Sequence, residues 1–297
     1  MRNWTLAEAA EVISDEQISA ARRLPGLVEA GRRSAASWLP RPGDTKMVAA
    51  TLRDLGRMVS GVWAIYLDAS PGGLTLARLA KLLEGTRLSS PGRARALLIY
   101  MQFLGYVQPA RREADRRERH YTITPALFEA FHERYRRDLA TVADLDPLIA
   151  EILRRIEEPG VFRAFVRVHG DFLAAGFKTW RPEGPSLDIF SERFSGMVVL
   201  SLILFSGVER DSFPPRQPAP INVARLSRDA GISRAQVRQL LKAGEKAGFF
   251  DLRTEGVVVL TQQLYDNLEI LTAGVMVIFR ECARRTLAYL AEGPEEV

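Results

Sequence analysis

An ordered set of helix caps, apolar runs and glycines occurs twice along these 297 residues, and such a repeat constrains the architecture before any single segment is assigned. In the first half, Val59-Ser60-Gly61-Val62 opens an apolar helical run ending near Leu67. In the second, Phe194-Ser195-Gly196-Met197 opens one ending near Phe205. A second helix follows in each: Leu74-Thr75-Leu76-Ala77-Arg78-Leu79 matches Ile221-Asn222-Val223-Ala224-Arg225-Leu226, with Thr75 and Asn222 suited to cap it. The third helices start at Ser90 and Ser233, align Arg95 with Arg238, and end at Gly105 and Gly248, residues that suit a helix C-cap.

Beyond each glycine the period changes from helical to extended. The first hairpin runs from Tyr106 through an Arg-rich tip to His120-Tyr121-Thr122-Ile123-Thr124, and the second from Phe249 through Thr254-Glu255-Gly256 to Val257-Val258-Val259-Leu260-Thr261. A closing helix then starts at Thr124-Pro125 and at Thr261, with threonine expected to cap and Pro125 at the favoured first helical position.

This order of helix, helix, turn, helix, two-stranded wing and helix resembles the MarR-like and related winged helix-turn-helix transcription regulators. The resemblance covers roughly residues 44–139 and 186–290 and rests on element order and cap positions, since the fold has no invariant catalytic motif. It implies a mainly α chain with small β-hairpin wings, in which two winged helix-turn-helix units form an internal duplication joined by connecting helices. The boundaries that follow are an N-terminal helical extension over 1–43, a first unit over 44–140, connecting helices and linker over 141–185, and a second unit with its C-terminal helix over 186–297. The connecting segment carries periodic apolar residues from Leu148 to Leu173, and the stretch from Val208 to Pro220, with four prolines, is an insertion of the second unit.

Charge supplies the functional direction. The net charge is +5 and the pI about 9.5, a mild lean toward a polyanionic partner. Only five of the 41 basic residues are Lys, an Arg bias that a GC-rich genome also produces, so distribution decides rather than the total. From Arg87 to His120 eight Arg stand against three acids, a local +5 equal to that of the whole chain. Arg111, Arg112, Arg116, Arg117 and Arg119 cluster at the tip of the first wing, where phosphate contact would need them. The bland alternative is a solvated tip with internal ion pairs.

In a helix-turn-helix the third helix enters the major groove, where Arg reads guanine and Gln or Asn reads adenine. With Val237, Leu240, Leu241 and Gly244 toward the core, helical spacing puts Gln239, Lys242 and Lys246 on the opposite face and Gln236 and Arg238 on its flanks, next to Ser233 and Arg234 at the helix start. The first unit departs from this. With Ala94, Leu97, Leu98 and Met101 buried, its opposite face is Gly92, Ala96, Ile99 and Phe103, an apolar surface. Either only the tip with Ser90, Arg93 and Arg95 touches DNA, or the helix packs against another domain or a second subunit.

Other chemistries find little support. Cys282 is the sole cysteine, which excludes an intrachain disulfide, and its apolar helical context reads as packing. His120, His132 and His169 stand apart, without metal-ligand spacing, and neither a G-x-x-x-x-G-K-S/T nor a G-x-G-x-x-G run occurs. No cofactor, metal or catalytic residue is therefore expected, and an enzyme is the least favoured class. The N-terminus lacks a signal-peptide core and the longest apolar run, Met197 to Phe205, is too short for a bilayer, so a cytoplasmic protein without a membrane partner is expected.

The leading expectation is a DNA-binding transcriptional regulator whose partner is double-stranded DNA. A homodimer through apolar helices and an unknown small-molecule effector stay open. The rivals are a replication initiator resembling the tandem winged-helix plasmid proteins, and a winged-helix scaffold for protein interaction.

Overall fold

The computed structural model describes residues 4–40, 54–85, 91–110, 119–176, 186–207 and 213–292. They are mainly helical, with two small antiparallel sheets of three strands each. Three short helices come first: α1 (Leu6–Val12), α2 (Asp15–Arg22) and α3 (Leu27–Ser37). Then follow α4 (Leu55–Asp68), β1 (Leu74–Thr75), α5 (Leu76–Gly85), α6 (Pro91–Phe103), β2 (Val107–Pro109), β3 (His120–Ile123) and α7 (Pro125–Val142). The connecting helices are α8 (Pro147–Arg155) and α9 (Val161–Gly176). After α10 (Asp188–Ser191) come α11 (Gly196–Leu204), β4 (Ala219–Pro220), α12 (Val223–Ala230), α13 (Arg234–Lys246), β5 (Phe250–Asp251), β6 (Val257–Leu260) and the long α14 (Gln262–Ala291).

From α4 to α7 and from α11 to α14 the element order is the same, and so is the strand order, β1-β3-β2 and β4-β6-β5. The expected hairpins are present: Val107 pairs with Ile123, and Phe250 with Leu260. Sequence reading missed the outer strand of each sheet. β1 and β4 are two residues long, too short for an alternating pattern, and are recognisable only by their pairing, Leu74 with Tyr121 and Ala219 with Val258. Two further expectations are corrected. The first apolar helix begins at Leu55 rather than Val59, so Gly61 lies inside it, where a Cβ would meet the Phe131 ring at 2.2 Å. Thr124 does not cap α7 with its side chain; its hydroxyl donates instead to the Gly105 carbonyl at 2.7 Å, one of the acceptors left open where α6 ends.

The chain divides into two compact units. One comprises Met1–Gln17, Gly56–Trp180 and Met276–Val297, the other Ile18–Leu55 and Arg181–Val275, so both α2 and α14 are shared between units. In the first, Trp63, Leu79, Leu83, Leu98, Tyr106, Leu127 and Phe131 are buried. Trp4 joins that unit by donating from Nε1 to the Val168 carbonyl at 3.1 Å, beneath the Arg285 guanidinium 3.4 Å from its ring centroid. In the second, Phe190, Val199, Leu200, Ile203, Ala219, Val237, Phe249, Val258 and Leu264 form one apolar cluster. Each such side chain stabilises by roughly 1.5–3 kcal/mol, which is why two-residue strands suffice to complete the sheets.

Candidate nucleic-acid interface

The helix pair of the second unit is built from its caps. Asn222 accepts from the Arg225 N–H at 3.0 Å and starts α12, which ends at Gly231 in the left-handed conformation (φ 64°). The Ser227 hydroxyl then donates to the Ile232 carbonyl at 2.6 Å, closing the turn. Ser233 and Gln236 form a capping box: Ser233 Oγ accepts from the Gln236 N–H at 3.2 Å and Gln236 Oε1 accepts from the Ser233 N–H at 2.9 Å. Two predicted contact residues thus also fix the start of α13. Their remaining donors, the Ser233 hydroxyl and the Gln236 amide, lie at an exposed helix N-terminus, where anions are favoured.

Burial on α13 follows the helical period. Val237, Leu240, Leu241 and Gly244 are buried, and Arg234, Gln236, Arg238, Gln239, Lys242 and Lys246 are exposed. Gly244 is required by contact, because a Cβ there would lie 2.5 Å from the ring of Phe250 on β5. At the far end Gly248 (φ 76°) turns the chain, Phe249 donates from its N–H to the Gly244 carbonyl at 2.8 Å, and the Thr261 hydroxyl reaches the Gly248 carbonyl at 2.6 Å. Both ends of the exposed face are therefore held by hydrogen bonds.

The cations of this helix form a ladder. Arg234, Arg238, Lys242 and Lys246 recur at i, i+4, and the only acid between Arg234 and Lys246 is Glu245. Like charges at that spacing each cost a helix about 0.2–0.5 kcal/mol. Among the described residues none of these four side chains has a hydrogen bond or ion pair. Other helices show the opposite habit: Arg32 pairs with Glu29, Arg136 and Arg137 with Glu133, Arg154 and Arg155 with Glu151, and Arg284 and Arg285 with Glu281. In those helices an arginine meets a carboxylate three or four residues away; the four cations of α13 do not.

Two cations near this helix escaped sequence reading. Arg225, in the first turn of α12, has a side chain 80% exposed and only a loose contact to Asp229 at 3.4 Å. Arg253 lies between β5 and β6, its side chain 88% exposed and hydrogen-bonded to Asp251, whose carboxyl it holds down to about 2. The neighbouring Asp251 and Glu255 hide Arg253 in a charge count, and Arg225 reads as part of a cap.

In the first unit Arg93 and Arg95 are exposed on α6 and Arg119 is exposed just before β3. Ser90, Arg111, Arg112, Arg116 and Arg117 lie outside the described residues. The core side of α6 is as expected: Ala94, Leu97, Leu98 and Met101 are buried. Its opposite face, with Gly92, Ala96, Ile99 and Phe103, is exposed, Phe103 to 84%.

The residues of catalytic type lie elsewhere. The Tyr135 hydroxyl and His169 Nδ1 are 2.6 Å apart; burial pushes His169 down to about 4 and keeps it neutral, and burial pushes the Cys282 thiol well above its usual range. Among the described residues no group of three His, Cys, Asp or Glu could hold a metal ion, and no helix is long and apolar enough to cross a membrane. No protein-family model, curated protein or solved structure matches the chain.

Proposed function

We propose that this protein is a DNA-binding transcriptional regulator built from two winged helix-turn-helix units that arose by duplication, with the second unit as its principal reader of double-stranded DNA. The reading is supported above all by the uncompensated ladder Arg234, Arg238, Lys242 and Lys246 on the third helix of a helix-turn-helix order. A helix that enters the major groove carries cations for phosphates along its flanks and side chains able to read bases between them. Gln239 occupies the middle of the exposed face, beside Arg238 and Lys242, and suits adenine. Asn222, Gly231 and Ser233 fix the angle between α12 and α13, and Arg225 and Arg253 add phosphate contacts from the first helix turn and the wing. In the first unit Arg93, Arg95 and the wing arginines Arg111, Arg112, Arg116, Arg117 and Arg119 contribute charge.

Competitive fluorescence anisotropy against a selected site and a scrambled duplex tests this reading. Arg238→Ala or Gln239→Ala should reduce the preference for the selected site by roughly 1–3 kcal/mol while scrambled DNA binds nearly as before. Both residues are exposed, so thermal melts should be almost unchanged. Equal losses on both duplexes would leave α13 as a phosphate contact only, and no loss on either would remove the DNA reading from this helix.

A further inference from the structure

The apolar face of α6 occupies the positions that carry the polar face in α13. Ser90 and Ser233, Arg95 and Arg238, and Gly105 and Gly248 are each 143 residues apart, and the same offset sets Gly92, Ala96, Ile99 and Phe103 against Ala235, Gln239, Lys242 and Lys246. The buried positions correspond as well, Ala94, Leu97, Leu98 and Met101 with Val237, Leu240, Leu241 and Gly244. One face of the same local architecture is cationic and the other apolar, with Ile99 55% and Phe103 84% exposed. Phosphates and the donors and acceptors of a base edge have nothing to bind on the second of these.

The spacing 92, 96, 99, 103 is that of a two-helix seam, steps of four, three and four residues. Its sizes run from small to large along the helix. Parallel pairing would set Phe103 against Phe103 and Gly92 against Gly92, a wedge. Antiparallel pairing across a two-fold axis between Leu97 and Leu98 sets each Phe103 over a Gly92 and each Ile99 over an Ala96, because both pairs of numbers sum to 195. Charge agrees with size. The N-terminal half of α6 carries Arg93 and Arg95, whereas Ile99 to Phe103 carries no charge; antiparallel pairing lays each cationic half along an uncharged one and opposes the helix dipoles.

We infer that the exposed face of α6 binds a second copy of this chain, helix against antiparallel helix, with Phe103 as its anchor. The apolar face of α6 then serves self-association while α13 contacts DNA. The pairing rests on α6 alone and holds whether or not α13 reads bases. Four side chains per helix fall short of the roughly 20–30 residues per side of a standard interface, so association is weak and concentration-dependent.

Sedimentation equilibrium of the full chain without DNA, over a wide concentration range, is the test. Wild type should show a reversible monomer–dimer equilibrium, and Phe103→Glu should weaken it by about tenfold or more while leaving the thermal melt unchanged. Orientation is read by oxidative cross-linking, with buried Cys282 as a silent background. A mixture of Gly92→Cys and Phe103→Cys chains should form the mixed disulfide. Phe103→Cys alone should not, because the two sites lie about 16 Å apart along antiparallel helices, beyond the roughly 7 Å a disulfide spans. A wild type that stays monomeric, a Phe103→Glu chain that dimerises as well as wild type, or efficient cross-linking by Phe103→Cys alone would each overturn the proposal. So would an altered DNA preference in Phe103→Glu with wild type monomeric, which would make this face a DNA contact.

Discussion

The Thr261 hydroxyl donates to the Gly248 carbonyl at 2.6 Å, tying the end of the cationic helix to the first turn of the last one. The same oxygen accepts from the Leu264 N–H at 3.3 Å. Thr124 and Gly105 repeat the tie in the first unit at 2.7 Å. Thr261→Val keeps the shape and removes the hydroxyl, so it should lower stability by about 1–2 kcal/mol, as measured by chemical denaturation. A neutral result would show the tie to be incidental.

Gly61 and Gly105 should respond differently to alanine. At Gly61 the new methyl would lie 2.2 Å from the Phe131 ring in a filled core, whereas at Gly105 nothing lies within 4 Å and only the positive φ of 70° opposes it. Gly61→Ala should cost more than about 2 kcal/mol, in the upper range of overpacking, and Gly105→Ala about 1–2 kcal/mol. Paired denaturant titrations decide; equal costs would show that the Phe131 ring moves aside freely.

Acid should destabilise the protein through His169. Burial lowers its pKa from 6.5 to about 4, so between those values the unfolded chain takes up a proton that the folded chain refuses. Stability is complete above pH 6.5, falls as pH drops through 6.5, and the loss levels off near pH 4, at about 3 kcal/mol in all. Burial raises the carboxyls of Asp138 and Asp171, which act in the opposite sense, so the contribution is isolated by comparison with His169→Gln. That variant should show a shallower fall between pH 6.5 and 4, and an identical pH profile would sink the assignment.

Salt should report the ladder on α13. If Arg234, Lys242 and Lys246 each neutralise one phosphate, replacing any one by Ala should reduce the log–log slope of DNA affinity against salt by about 0.9. Arg32→Ala, which breaks the exposed pair with Glu29, should leave that slope unchanged. Identical slopes in all variants would place the ladder away from the backbone.

Much of this architecture was legible in the residues themselves. Cap and glycine positions carried the helix boundaries, because Ser233, Asn222, Gly105 and Gly248 act through local geometry that needs no distant partner. Helical period likewise assigned the buried and exposed sides of α6 and α13. Strands β1 and β4 could not be read, since two residues have no period and exist only by pairing with β3 and β6. The need for glycine at position 61 and the role of Thr124 depended on partners far along the chain, Phe131 and Gly105. The ladder and its contrast are also local: Arg32, Arg136, Arg154 and Arg284 each pair with a carboxylate three residues away, while Arg234, Arg238 and Lys242 show no partner among the described residues. Local chemistry determined where helices begin and end, which side they bury and which arginines have a carboxylate one turn away; packing over long sequence separations decided which strands form and where glycine is required.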